Sequence, residues 1–168
     1  MYGSSAVADA VREGNPDLEA LRLRVQVVAP GERFRAGALD VLAIEANEVP
    51  APALNYVVSQ DGRRALFAWD TAPWTEAAWS QIEGEQVDAV FTECTTFCSG
   101  IEAGPRHLTF DQVREMRARL IEQDIMMEQT PHITVHQGDN GGLTHAEMME
   151  LGAGHGVTPS YDGFELTV

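Results

Sequence analysis

Apolar and polar positions divide the chain into a strand-rich first half and a second half in which strands alternate with helices. Ser4 to Glu13 places Ala6, Val7, Ala10 and Val11 on one helical stripe behind a serine cap, and Gly14 ends the run. Leu21 to Val28 alternates apolar and polar residues with the period of a half-buried strand. After a turn at Pro30-Gly31, Phe34 to Ala46 contains a strand around Leu39 to Ile44, followed by the Pro-interrupted stretch Asn47 to Pro52. Leu54 to Ser59 and Arg64 to Trp69 then read as a hairpin joined through Asp61-Gly62. Strands following one another in this way favour a sheet.

From Asp70 onward the period changes. Thr75 to Ile82 carries Ala and Trp at helical spacing, and Val87 to Thr92 is a short apolar run that predicts a buried strand. A loop from Cys94 to Pro105 leads to Thr109-Phe-Asp-Gln112, a capping box that opens a helix with Val113, Met116 and Leu120 toward the core. Ile133 to Val135 is a strand core, Thr144-His-Ala-Glu147 is a second capping box for a helix through Leu151, and Leu166 to Val168 reads as a closing strand. The order predicts an α/β fold of the α+β sandwich type, a mixed β-sheet covered by helices, in a single domain over residues 1–168 without repeat or linker.

Composition narrows the setting. At 168 residues and 44% hydrophobic the chain suits one core, no run approaches a membrane span, and no basic leader opens it, so a soluble cytoplasmic protein is expected. All eleven basic residues are Arg and 26 are acidic, leaving a net charge of -15. Such a surface repels phosphate backbones, so nucleic acid is not an expected partner. Cys94 and Cys98 are too few for a disulfide framework; two reduced thiols, a local disulfide or metal binding are the readings open to them.

Candidate chemistry collects at strand ends. Asp70 directly follows the Arg64 to Trp69 strand, and His136 follows Ile133 to Val135 and leads into a turn-rich Gln-Gly-Asp-Asn-Gly-Gly stretch. Either could be a cap or a turn residue; together a carboxylate and an imidazole suit Zn, Mn or Fe. His132, His145 and His155 read as packing, helix-turn and Gly-rich exit residues.

The order Asp70-Thr71, Glu93, His107-Leu-Thr109, His136, His145 and Tyr161-Asp162-Gly163 resembles the distal part of metallo-β-lactamase superfamily hydrolases. It is most similar to the branch of phosphoribosyl cyclic phosphate phosphodiesterase and ribonuclease Z. The resemblance runs from near Met1 to the end and implies part of an αββα fold. It implies that Asp70 bridges two divalent metal ions, Zn or Mn, that His136 is the distal His ligand, and that His107 and Glu93 assist the leaving group on a small phosphorylated substrate.

Two departures accompany it. The His-x-His-x-Asp-His signature that supplies most of the family's ligands does not occur in these residues, and Glu48 and Asp139 stand where relatives carry His, leaving both as doubtful metal ligands. The implied protein is a phosphodiesterase-type hydrolase domain that lacks its His-rich part and is weakly active or inactive alone, a pseudoenzyme in effect. The alternative is a non-catalytic assembly module: a homodimer, or a half that complements a partner chain.

Overall fold

A computed structural model describes residues 1–15, 17–48, 53–101, 106–138 and 142–168. Its elements are β1 (Tyr2–Gly3), α1 (Ser5–Gly14), β2 (Gln26–Val27), β3 (Arg33–Ala36), β4 (Leu39–Ala46), β5 (Ala53–Gln60), β6 (Arg63–Ala68), α2 (Glu76–Ile82), β7 (Ala89–Glu93), α3 (Phe110–Glu122), β8 (His132–Val135), α4 (His145–Ala153) and β9 (Thr158–Pro159). Seven strands form one sheet in sequential order from β3 to β9. Pairing is antiparallel from β3 to β6 and parallel from β6 to β9. No helix among the described residues is long and apolar enough to cross a membrane.

Strand alternation separates the two faces. Leu42, Val57, Leu66, Val90 and His132 lie in register across β4 to β8 and are all buried. On the same face, the core cluster joins these strands to Trp74, Ala78, Trp79 and Ile82 from the α2 segment and to Phe110, Val113, Met116 and Leu120 from α3. The opposite row runs Ala43, Tyr56, Phe67, Phe91 and Ile133. There Tyr56, Phe67 and Phe91 are only partly buried. At the β3 end of that face, Tyr2 stacks on Phe34 at 4.5 Å and its hydroxyl donates to the Arg35 carbonyl at 3.0 Å. Both expected capping boxes form, Thr109 with Gln112 and Thr144 with Glu147.

Two expected strands do not form. Of Leu21 to Val28 only Gln26–Val27 pairs, with β1. Upstream, the Asp17 carboxylate accepts from Ala20 N–H at 2.9 Å, Arg22 has φ 51°, and Leu21 is 59% exposed, so the alternating residues are spent in a turn with no strand beside them. Arg33–Ala36 takes the outer antiparallel place instead. Leu166 to Val168 stays unpaired, and the sheet closes with Thr158–Pro159. Pro159 lacks a donor, which an edge strand tolerates. The Pro-interrupted stretch to Pro52, the loop end at Pro105 and Asp139 reach or lie outside the described residues. Cys94 and Cys98 are free thiols, and burial followed by the Glu93 carboxylate pushes the Cys94 thiol up, away from thiolate chemistry.

His132, expected to pack or face solvent, is fully buried in the core row. Its Nε2 lies 2.8 Å from Thr92 Oγ1, and its Nδ1 has no hydrogen-bond partner among the described residues. Burial, then the Arg117 guanidinium, pushes the imidazole down to about 3 from 6.5. Because the folded form refuses a proton that the unfolded chain accepts, the associated stability is complete above about pH 6.5 and is lost as pH falls toward 3. Denaturation measured at pH 7 and pH 5 should show a loss of about 2 kcal/mol from this residue, and His132→Gln should reduce that pH difference by a similar amount.

Candidate metal centre

The change from antiparallel to parallel pairing brings the carboxyl ends of β6, β7 and β8 to one edge, where open α/β sheets bind ligands. Asp70 leaves β6, Glu93 ends β7 and His136 leaves β8, so the register places them side by side. His107 arrives from the following loop. Thr96 N–H donates to the Leu108 carbonyl at 3.3 Å and Phe110 N–H to the Thr96 carbonyl at 3.0 Å, which fastens that loop to the chain after β7.

Ligand atoms of Asp70, His107 and His136 lie within 4.8 Å of one another. Asp70 Oδ1 is 3.5 Å from His107 Nδ1 and 3.9 Å from His136 Nε2, and the imidazoles stack with centroids 5.5 Å apart. Asp70 and His136 both adopt left-handed backbone, φ 51° and 56°. Such conformations are uncommon for residues with a Cβ and persist where surrounding bonds hold them. Here Thr71 N–H donates to Glu93 Oε1 at 2.7 Å, and Gly138 N–H to the Thr95 carbonyl at 2.9 Å.

Glu93 organises the cluster from below. Its side chain is 0% exposed, whereas those of Asp70 and His136 are 54% and 46% exposed. Oε1 lies 3.1 Å from His107 Nδ1, and Oε2 accepts from the Thr95 hydroxyl at 2.7 Å. Thr95 Oγ1 is in turn 3.0 Å from His136 Nδ1. With its single proton donated to Glu93, the hydroxyl accepts from His136 Nδ1–H, which leaves the lone pair on Nε2, the nitrogen nearest Asp70. His107 Nδ1–H donates directly to Glu93 and keeps its own Nε2 lone pair free. One buried carboxylate therefore selects the tautomer of both imidazoles, the arrangement that supports metal-ligating histidines. A carboxylate and two such imidazoles are a donor set that fits a divalent cation of the Zn or Mn type.

The other candidates divide. Glu48 lies beside Asp70 but not within the cluster of mutual ligand distances. Burial, repulsion from Asp70 and a hydrogen bond shared with that carboxylate hold the Glu48 carboxyl above its usual range. Asp139 lies outside the described residues. His107, expected beside the centre in an assisting role, lies beside Asp70 through Nδ1, the nitrogen that faces Glu93. Thr95 escaped the sequence reading; its only signal was a hydroxyl two residues after an acid that ends a buried strand.

No protein-family model and no curated protein matches the sequence. Solved structures match the fold. A diphosphatase from the PhnP family is 16% identical with a TM-score of 0.72, over 98% of this chain and 56% of that one. Zn(2+)-bound PqqB from Methylobacterium extorquens is 17% identical with a TM-score of 0.72, over 99% and 64%. The metallo-β-lactamase fold protein YhfI from Bacillus subtilis is 12% identical with a TM-score of 0.65, over 97% and 62%. The chain has the metallo-β-lactamase fold, and it spans less than two thirds of the length of these proteins.

The relay makes Thr95→Val informative, since the substitution keeps shape and removes only the hydroxyl. Imidazole ¹⁵N spectra should show His136 as the Nδ1–H tautomer in the parent and a shift toward Nε2–H in the variant, with His107 unchanged. An unchanged His136 tautomer would show that Thr95 does not set it.

Proposed function

We propose that this chain, on its metallo-β-lactamase fold, serves metal-dependent hydrolysis of a phosphodiester or diphosphate bond in a small phosphorylated substrate. The observation that carries the reading is the Glu93 relay, which presents His136 Nε2 beside the Asp70 carboxylate and fixes His107 next to both. The likeness to a PhnP-family diphosphatase and to Zn(2+)-bound PqqB supports the reaction class and the divalent cation. In this reading Asp70 and His136 hold the cation. A bound divalent cation supplies Lewis-acid stabilisation of charge on phosphoryl oxygens. His107, held at Nδ1 by Glu93, would give a proton from Nε2 to the leaving oxygen, with the Glu93 carboxylate fixing the ring's orientation. Glu48 adds negative charge that a cation relieves.

Asp70 and His136, with His107 kept for proton transfer, are fewer among the described residues than the four donors of a closed zinc site, so the chain alone is expected to bind its cation weakly and turn over little. A chain supplying further His ligands would complete the centre. Calorimetric titration of purified protein with Zn²⁺ or Mn²⁺ should give saturable binding that Asp70→Ala weakens by about 10- to 100-fold. His107→Ala should retain the cation while lowering hydrolysis of bis-p-nitrophenyl phosphate in a complemented preparation. Equal cation loss in both variants would make His107 a ligand, and cation binding indifferent to Asp70→Ala would overturn the reading. Rapid Asp70-dependent turnover by the chain alone would overturn the proposed weakness.

A homodimer is a second reading, favoured by the partly buried aromatic row of the sheet. Phe67 and Phe91 stack at 5.0 Å on the face opposite the helix-packed core. Apolar surface of this kind favours association, although the net charge of -15 opposes it at low salt. Light scattering should report a dimer that strengthens with salt and that Phe91→Glu converts to monomer. A monomeric parent protein at high salt would exclude this assembly.

A further inference from the structure

Beside the candidate metal centre, a depression of about 470 Å³ opens next to His136, with Trp69, Val135, Gln137, Tyr161 and Asp162 among its walls. Its size falls in the range of small-molecule sites, roughly 300–1,000 Å³. Two of its walls are exposed aromatics: Trp69 is 50% and Tyr161 61% exposed, whereas Trp74 and Trp79 are buried. Neither ring is loose. Trp69 meets Phe67 perpendicularly at 5.6 Å, and its carbonyl accepts from the buried Asn55 side chain at 2.9 Å. Tyr161 meets His145 at 5.8 Å and Phe164 at 5.7 Å, both near right angles. Rings braced in this way keep stacking surface available at little entropic cost.

The polar groups of the same walls are the Ser160 and Tyr161 hydroxyls, the Gln137 amide, the Asp162 carboxylate and the His136 ring. Gln137 donates its amide hydrogens to the Thr134 carbonyl at 2.8 Å and lies 3.0 Å from Thr134 Oγ1, which turns its carbonyl oxygen to other use. Asp162 adds a carboxylate, and among the described residues no arginine lines the depression. Two aromatic walls, with the Asp162 carboxylate and the Gln137 carbonyl open to amino donors and the Ser160 hydroxyl beside them, suit a planar ring that carries amino groups better than a phosphate. His136 belongs both to this depression and to the cation cluster.

We propose that the Trp69–Tyr161 depression binds an amino-bearing nucleobase, so that the substrate of the adjoining centre is a nucleoside phosphate ester or anhydride. The substrate assignment rests on the hydrolase reading above; the ring site itself does not. Stacking is indifferent to the acidic surface that repels the phosphate, so the base supplies attraction and the cation offsets the charge.

Ligand-observed NMR titrations with adenosine, ribose 5-phosphate and AMP, each with and without Zn²⁺, separate the two. Adenosine should bind saturably with or without Zn²⁺. Trp69→Leu and Tyr161→Leu should each weaken it by about 10-fold or more, while Trp69→Phe, which keeps a ring, should lose much less. Ribose 5-phosphate should be insensitive to Trp69→Leu, and AMP should bind more tightly than adenosine only with Zn²⁺, a gain that Asp70→Ala removes. Failure of adenosine to saturate, or undiminished binding by both leucine variants with unchanged circular dichroism, would overturn the ring site. Adenosine binding as expected with no Zn²⁺-dependent gain for AMP would support the ring site and overturn the hydrolase reading.

Discussion

The Glu93 carboxylate has no solvent contact, and the geometry of the whole centre depends on how its charge is satisfied. A buried carboxylate is costly unless donors surround it. Here they come from the Thr71 backbone, from Thr95 through both backbone and hydroxyl, and from His107. Each donor lies next to, or is itself, a residue of the candidate site. The constraint that keeps Glu93 stable therefore also fixes the Asp70 turn, the His107 ring and, through Thr95, the tautomer of His136.

The sheet makes that convergence available. Antiparallel strands β3 to β6 form a rigid platform, and parallel pairing from β6 onward brings three successive strand ends to one edge. At two of those ends the chain turns through left-handed backbone at a residue with a side chain, Asp70 and His136. Strain of this kind, on the order of 1–3 kcal/mol per residue, is held by the bonds beside each turn, from Thr71 N–H to Glu93 and from Gly138 N–H to the Thr95 carbonyl.

Electrostatics and exposed aromatic surface act in opposite directions around the centre. The acidic surface repels anions, and Glu48 beside Asp70 intensifies the local negative charge. A divalent cation would relieve that repulsion. The apolar row containing Phe67 and Phe91, and the exposed Trp69 at its end, offer contacts that charge does not oppose. Helices α2 and α3 pack on one face of the sheet, and the partly buried aromatic row lies on the other.

Patterns with a short-range cause were legible from the chain alone: the Asp61-Gly62 hairpin, both capping boxes, the apolar strands that become β6 to β8, and Asp70 and His136 at their ends. Each depends on residues within a few positions of one another. Alternation over Leu21 to Val28 and apolar character at Leu166 to Val168 were insufficient to make strands, because a strand also needs a neighbour with free backbone groups, which is decided elsewhere in the chain. The same holds for His132, whose complete burial follows from its register beside Val90, and for Thr95, whose role exists only because β7 lies next to β8. The sequence by itself determined which residues could carry the chemistry. Tertiary structure decided which of them meet, because partners such as Thr95 and His136, 41 residues apart, are brought together by sheet register and not by local propensity.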